Sequence, residues 1–426
     1  MLGVIAPTVR CAVVPDPIVP VVAVVQARPA AARTVQAVWD AGEAACVLDP
    51  GAPAAVRAQV LEAVRPTHLV DDDGRQARPD GIGTSEGVAA IVTTSGTTAT
   101  PKAVELTTAG MATIGAGFAS ALDIGGDDRW LVCLPLHHVA GLAILARART
   151  TGTPVTVHAG FDLAAVASSA RAADGGGGGV TVVSLVPTML HRMLDAGAPI
   201  DRFRWIVTGG ASTPPALRRR TEDAGGRPVD TYGLSETWAG VLLDGRPIDG
   251  VEAVVVDDEI LVRGDPVMRG YRLDPHATDA ALVDLPGPDG QGPDRGDGRW
   301  FRTGDVGTQD ASGRITVVDR KRDLVVTGGV NVSPTAVESV LATHPAVADI
   351  AVAGAPDPEW GERVVAYVVP GDARAPTLED LRAFGRDRLS GPQLPRAVVL
   401  IPEIPRTPGG KVRRHELAPD PPEPAI

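Results

Sequence analysis

The segment Thr94-Ser95-Gly96-Thr97-Thr98-Ala99-Thr100-Pro101-Lys102 gathers hydroxyls, a glycine and one ammonium group directly after an apolar strand. Hydroxyl and amide donors at that density can wrap phosphate oxygens, and the lysine adds a mobile positive charge. A Walker-type P-loop is the obvious rival. It fails because no glycine directly precedes Lys102, and Ala103 follows it in place of the serine or threonine that would ligate magnesium. Near the other end, Pro405-Arg406-Thr407-Pro408-Gly409-Gly410-Lys411-Val412-Arg413-Arg414 presents a second lysine on a turn built from proline and two glycines. An ammonium group delivered by such a loop into a closing cleft would neutralise charge on a carboxylate attacking a phosphate. A hydroxyl-rich surface turn and a solvated basic tail are the alternatives. The lysine count favours chemistry. Only Lys102, Lys321 and Lys411 occur among 40 basic residues, the other 37 being arginine. Where arginine has replaced lysine wherever the two are interchangeable, surviving lysines mark positions that need a compact ammonium group.

Three individually weaker segments lie between these ends: Asp230-Thr231-Tyr232-Gly233-Leu234-Ser235-Glu236, Thr303-Gly304-Asp305 and Asp319-Arg320-Lys321-Arg322-Asp323. Taken in order, the five segments resemble the superfamily of acyl-CoA synthetases, luciferases and peptide-synthetase adenylation domains, over residues 89–416. The resemblance implies an AMP-forming acid–thiol ligase that uses ATP, Mg2+ and coenzyme A. On that basis Thr94, Ser95, Gly96, Thr97, Thr98 and Lys102 would hold the β and γ phosphates. Gly209, Gly210, Ala211 and Tyr232 would border adenine, with Thr231 and Gly233 beside them in the nucleotide site. Ser235 and Glu236 would serve phosphate and magnesium, and Asp305 and Arg320 the ribose hydroxyls. Lys411 would bridge carboxylate and α-phosphate, Arg322 would occupy the hinge, and Gly328 and Gly329 would line the thiol tunnel. Lys321, beside the hinge, receives no chemistry. Physical reasoning agrees, since a carboxylate attacking an anionic phosphate needs positive charge at that spot. Thioester formation needs different contacts, so a domain rotation that withdraws Lys411 after adenylation is expected.

The run Leu134-Pro135-Leu136-His137-His138-Val139-Ala140-Gly141 matches the superfamily's acyl-pocket segment, with His138 gating or lining the carboxylate site. Two adjacent histidines on one strand would point to opposite faces and share no metal. Ser235 lacks the final glycine of a hydrolase nucleophile elbow, which discounts an esterase. Three stretches, His137 to Leu142, Ser184 to Leu190 and Asp244 to Val251, resemble the o-succinylbenzoate-CoA ligase branch, which serves menaquinone biosynthesis. A ligase for another aromatic or medium-chain acid and a non-catalytic relative are the alternatives. The branch's substrate carries a second carboxylate, for which Arg192 is the candidate partner and a surface arginine the competing reading. Ala99, Ala103 and Asp319 stand where the superfamily usually has glycine. A positive φ at Ala99 would cost roughly 1 kcal/mol.

The elements that must position these residues read as α/β. Helices are expected over Thr34 to Ala44, Ala54 to Val64, Ala140 to Arg149 and Pro187 to Asp195, with strands at Ala89 to Thr93, Trp130 to Leu134, Val180 to Leu185 and Trp205 to Val207. The expected fold is a large N-terminal adenylation domain, residues 1–319, of layered α/β sheets with a small β-rich subdomain over about residues 251–319. A hinge at 320–322, a small mobile α+β lid domain at 323–417 and a flexible tail at 418–426 complete it. A net charge of -12 opposes nonspecific attraction to nucleic acid. No apolar stretch reaches the ~18 residues of a membrane helix, and without a signal-peptide pattern a cytoplasmic location is the default. Cys11, Cys46 and Cys133 read as free thiols rather than disulfide or zinc partners. A homodimer is compatible with these features and not required by them.

Overall fold

The computed structural model describes residues 17–94, 101–171, 179–285, 299–371, 374–407 and 410–417. Ser95, Gly96, Thr97, Thr98 and Ala99 of the phosphate loop lie outside them, as do Cys11 and the tail 418–426.

Two seven-stranded sheets form the body. One runs in the order Gly270–Tyr271, Lys102–Thr107, Val88–Thr94, Ala44–Val47, Val21–Val24, His68–Asp71, Gly74–Ala77. The other runs Val155–Val157, Trp130–Val132, Val182–Leu185, Trp205–Thr208, Pro228–Leu234, Ala239–Leu243, Arg246–Pro247. Strands such as Val21–Val24 and Val182–Leu185, the latter apolar except for Ser184, are wholly buried, and they pair in parallel, as largely hydrophobic strands covered on both faces do. One hydrophobic core joins both sheets through the helices Thr108–Leu122 and Val139–Thr151, with Phe118, Leu142 and Ile144 at its centre. The helix Thr108–Leu122 lacks a legible amphipathic period because glycines interrupt it. Those glycines face its neighbours: a Cβ on Gly115 would strike the Thr150 side chain, and one on Gly117 would lie 2.9 Å from Ile248.

Beyond Val251 an antiparallel five-stranded sheet holds Val251–Val256, Glu259–Gly264, Trp300–Gln309, Leu282–Val283 and Ile315–Arg320. A second five-stranded sheet contains Val330–Val332, Val325–Thr327, Gly361–Pro370, Val347–Asp357 and Ala397–Leu400, and is covered by the helices Pro334–Leu341 and Leu378–Gly385. Among the described residues, the buried clusters draw either on residues up to Ile315 or on residues from Val325 onward. The chain is thus an α/β structure with a large N-terminal part and a small C-terminal one.

Ala54–Val64 and Pro187–Asp195 are helical with the expected bounds. The first helix instead spans Arg28–Asp40, because Gly42 takes φ +71° and returns the chain into the strand Ala44–Val47. Trp130–Val132 is shorter than expected. The chain turns before His137 and His138, so the two histidines do not sit on one strand, and their rings lie 4.4 Å apart rather than on opposite faces.

Candidate active site

Thr94 and Lys102 are registered opposite each other at the ends of two antiparallel strands, so the hydroxyl-rich loop springs from a fixed base. Ala103 fits that base without strain. It lies in the ladder opposite Thr93, is buried, and is absent from the residues with positive φ. The Lys102 ammonium sits 4.6 Å from the ring centroid of Tyr271, whose hydroxyl donates to Glu236 Oε1 at 2.9 Å. Ser235 and Glu236 occupy a tight turn after Leu234 that the backbone fixes closely. Thr237 Oγ1 accepts from Leu234 N at 2.9 Å, Met268 N donates to Glu236 O at 2.7 Å, and the buried Trp238 takes φ +53° while its indole donates to Thr107 O. Gly233 must be glycine, since a Cβ there would overlap the Ala239 carbonyl.

The adjoining floor is made by Gly209, Gly210, Ala211 and Thr231 at the ends of parallel strands. A Cβ on Gly209 would come within 2.5 Å of Thr231 Oγ1, and Gly210 takes φ +80°. Ligands collect at the carboxyl ends of parallel strands because backbone donors and loops converge there. Next to this floor the Tyr232 hydroxyl donates to Asp305 Oδ2 at 2.8 Å, and Arg320 Nε lies 3.3 Å from Asp305 Oδ1. Asp305 and Arg320 are a registered cross-strand pair. Burial pushes the Asp305 carboxyl up even though Arg320 and Tyr232 hold it down. The buried Glu259 accepts the Gly304 N–H at 3.1 Å and Arg302 Nη2 at 2.6 Å, which fixes the turn carrying Asp305.

Lys411 approaches from the C-terminal part on a loop anchored on both limbs. Arg406 makes a two-pronged bond to Asp349 at 2.8 and 3.0 Å, and Arg414 bonds the Glu338 carboxylate at 2.7 Å and the Val352 carbonyl at 2.9 Å. Gly410 lies against Thr188 of the N-terminal part. The Lys411 side chain keeps access to water while protein walls surround it. Desolvation, then repulsion from Arg320 and Arg322, pushes its pKa down, while Asp305 and Glu236 pull it up. Lys411 in turn acts on His138, which burial and His137 push down to about 4. His138 is therefore neutral at physiological pH, a lining group rather than a cation. Lys102, Arg320, Arg322 and Lys411 face Asp305 and Glu236, leaving an excess of positive charge suited to a polyphosphate.

A model of the AMP-binding enzyme family matches residues 71–272, and one of the AMP-binding enzyme C-terminal domain matches residues 336–411. A probable 2-succinylbenzoate–CoA ligase of Mycobacterium tuberculosis is 36% identical over 369 residues, covering 84% of this chain and 87% of the relative. The chain belongs to the AMP-binding enzymes. An o-succinylbenzoate CoA synthetase from Bacillus subtilis, solved with its acyl-adenylate intermediate, superposes with a TM-score of 0.80 at 26% identity, covering 96% of this chain and 89% of that one. The same Bacillus protein solved with ATP and magnesium gives a TM-score of 0.78 at 27% identity, covering 93% and 89%.

In this AMP-binding enzyme, no three or more His, Cys, Asp or Glu side chains converge on a metal site among the described residues. The single carboxylate of Glu236, half-buried with one oxygen taken by Tyr271, suits magnesium, which is held by one or two carboxylates plus phosphate oxygens and water. Gly328 and Gly329, with φ of +57° and +77°, form a two-residue hairpin tip between Val325–Thr327 and Val330–Val332. Trp360 packs on Gly328, and Arg396 lies 4.2 Å over the Trp360 ring. No helix among the described residues is long and apolar enough to cross a membrane. Cys46 and Cys133 are buried free thiols, each pushed up to about 12 by burial.

Arg192 is exposed on the helix Pro187–Asp195 and has no side-chain partner among the described residues. The arginine that sequence reasoning passed over is Arg147, 4% exposed on the helix that begins after His138. Its guanidinium lies 3.6 Å over the Phe118 ring, its Nε is buried without a partner, and no ion pair reaches it among the described residues. Desolvation alone pushes its pKa down to about 9. A Cβ on Gly240 would lie 3.2 Å from Thr231 Cβ and 3.3 Å from Arg147 Nη2, which puts Arg147 close to Thr231 of that floor.

Tyr271 was also missed, and it carries a prediction. Tyr271→Phe removes the bond to Glu236 Oε1, and hydrogen bonds to charged groups contribute about 1.5–3 kcal/mol. The Mg2+ concentration needed for half-maximal adenylation should rise roughly tenfold, with the rate at saturating Mg2+ little changed. Calorimetric titration of Mg2+ with ATP should show the same weakening; unchanged Mg2+ dependence would rule out this role for Tyr271.

Proposed function

We propose that this chain is a 2-succinylbenzoate–CoA ligase. Its residues 1–319 would form the adenylation domain, 320–322 the hinge and 323–417 the lid. The observation that carries the choice of acid is Arg147. A buried cation without a counter-anion costs several kcal/mol, so its persistence in the otherwise apolar stretch Val139 to Ala148 is best explained by an anion that the substrate supplies. A dicarboxylate supplies one: while one carboxylate reacts, the second would pair with the Arg147 guanidinium, which lies close to Gly240 and Thr231.

In the first half-reaction a carboxylate oxygen of the acid attacks the α-phosphorus of ATP. The new C–O–P bond forms as the bond to pyrophosphate breaks. Lys102 and the hydroxyl loop hold the β and γ phosphates, Asp305 and Arg320 hold the ribose, and Lys411 offsets the charge that accumulates between carboxylate and phosphate. Magnesium bound at Glu236 would supply further positive charge to the phosphates. In the second half-reaction the coenzyme A sulfur attacks the acyl carbon, AMP leaves, and the thiol proton passes to solvent. Gly328 and Gly329, with Trp360 beside them, would then line the thiol path once the lid has turned. A cytoplasmic homodimer is the proposed form, to be checked by fractionation and sedimentation.

Pyrophosphate release over a panel of carboxylic acids, with and without coenzyme A, tests this reading. o-Succinylbenzoate should give pyrophosphate and AMP at a kcat/KM well above those of benzoate, ferulate and octanoate. A higher value for any of the monocarboxylates would overturn it.

A further inference from the structure

Asp319 is 8% exposed and is the penultimate residue of the strand Ile315–Arg320, immediately before the hinge. The adenylation chemistry does not use it, yet its carboxylate is fully engaged. Oδ1 accepts the Arg320 N–H at 2.8 Å, and Oδ2 accepts the Ser333 hydroxyl and the Thr335 N–H, both at 2.9 Å. Ser333 and Thr335 lie beyond the hinge, at the N-cap and in the first turn of the helix Pro334–Leu341. Ser333 Oγ itself accepts the Ala336 N–H at 3.1 Å, and Pro334 has no N–H to satisfy. The start of this helix is therefore completed by a carboxylate from the other side of the hinge, where its negative charge also meets the helix dipole favourably.

Both ends of this contact lead to the active site. On the N-terminal side Asp319 is registered with Val306, next to the Asp305 and Arg320 pair. On the lid side the same helix carries the half-buried Glu338, whose carboxylate binds Arg414 and the Val352 N–H at 2.7 Å each. Arg414 closes one limb of the loop that holds Lys411. A chain of short contacts thus runs from the ribose-binding strand through Asp319, the helix and Glu338 to the Lys411 loop.

We propose that Asp319 is a positioning residue that latches the lid in the orientation that delivers Lys411 for adenylation, and that the latch opens when the lid turns for thioester formation. The proposal rests on the reading of Lys411 as the adenylation lysine. Because two of the three donors to Asp319 lie across the hinge, a turn of the lid about residues 320–322 separates them from it, while the third stays on its own strand. The latch therefore acts on one half-reaction and not on the other.

The test measures the half-reactions separately in Asp319→Gly: acid-dependent exchange of pyrophosphate into ATP, and thioester formation from supplied acyl adenylate and coenzyme A. The latch predicts exchange lowered at least tenfold, with thioester formation within twofold of the unsubstituted enzyme or faster. Retained thioester formation also shows that the variant folds. Asp319→Asn, which keeps one acceptor oxygen, should recover part of the exchange rate, and Ser333→Ala should reproduce the split from the lid side. Equal loss of both half-reactions, or loss of neither, overturns the latch. Lys411→Ala run in parallel separates the two levels of the argument. If Lys411→Ala shows the split and Asp319→Gly does not, the latch alone is wrong; if Lys411→Ala leaves exchange intact, the reading of the lid falls and the latch with it.

Discussion

Replacing Lys411 by alanine is expected to slow adenylate formation by about 10²–10³, the usual cost of removing one preorganised charge or donor at a developing anion. Thioester formation from supplied adenylate should remain within a few-fold. The split follows from geometry. Lys411 enters the cleft from the C-terminal part, its loop is held by Arg406 with Asp349 and Arg414 with Glu338, and neither anchor involves the Lys411 side chain itself. The loop should therefore keep its shape in the variant. Stability should not fall either. Desolvation together with Arg320 and Arg322 depresses the lysine's pKa, so in the free enzyme the fold disfavours the charged form. For a base with a lowered folded pKa the unfolded state binds more protons, so the penalty is fully present below that pKa and fades as pH rises through it. Alanine removes the penalty, and the thermal midpoint near neutral pH should be unchanged or slightly raised. Equal loss in both half-reactions would contradict a lysine that serves only the first.

Most of the residues proposed for the nucleotide site could be named from the sequence because residue type suggests them. A hydroxyl run ending in a rare lysine, the segment Asp230 to Glu236, and Asp305 and Arg320 in two short motifs need no tertiary information to attract notice. What the sequence concealed depends on packing. Tyr271 matters because the strand Gly270–Tyr271 pairs with Lys102–Thr107, far from it in the chain. Glu259 matters because it lies under Gly304 across a strand pair. The histidines were misplaced because a strand was carried through Pro135, where the chain had already turned. Asp319 looked like a lost glycine, and only the contact with Ser333 and Thr335 shows what the side chain adds. Arg147 did leave a signal. The stretch Val139 to Ala148 is apolar on every side, and a helix hydrophobic all round is a buried one, so a lone arginine within it must be buried too. Among so many arginines it did not stand out.

Arg147→Met should therefore lower kcat/KM for o-succinylbenzoate by roughly 10²–10³, equivalent to about 3–4 kcal/mol, as expected when one partner of a desolvated charge pair is removed. Benzoate, which has no second carboxylate, should lose little or gain, since methionine fills a similar volume against Phe118 without a charge to desolvate. The same change should raise the thermal midpoint of the ligand-free enzyme, because an unpaired buried cation is replaced by an apolar side chain. Activity falling while stability rises distinguishes a ligand-directed charge from a structural one. A structural arginine would lose both together, and would affect mono- and dicarboxylates alike. Arg192→Met provides the internal control: the residue is exposed and unpartnered, so neither specificity nor stability should move beyond the ±0.5 kcal/mol usual for surface changes. If Arg192→Met instead abolished the preference for o-succinylbenzoate and Arg147→Met did not, the second carboxylate would lie along the Pro187–Asp195 helix rather than beside Arg147.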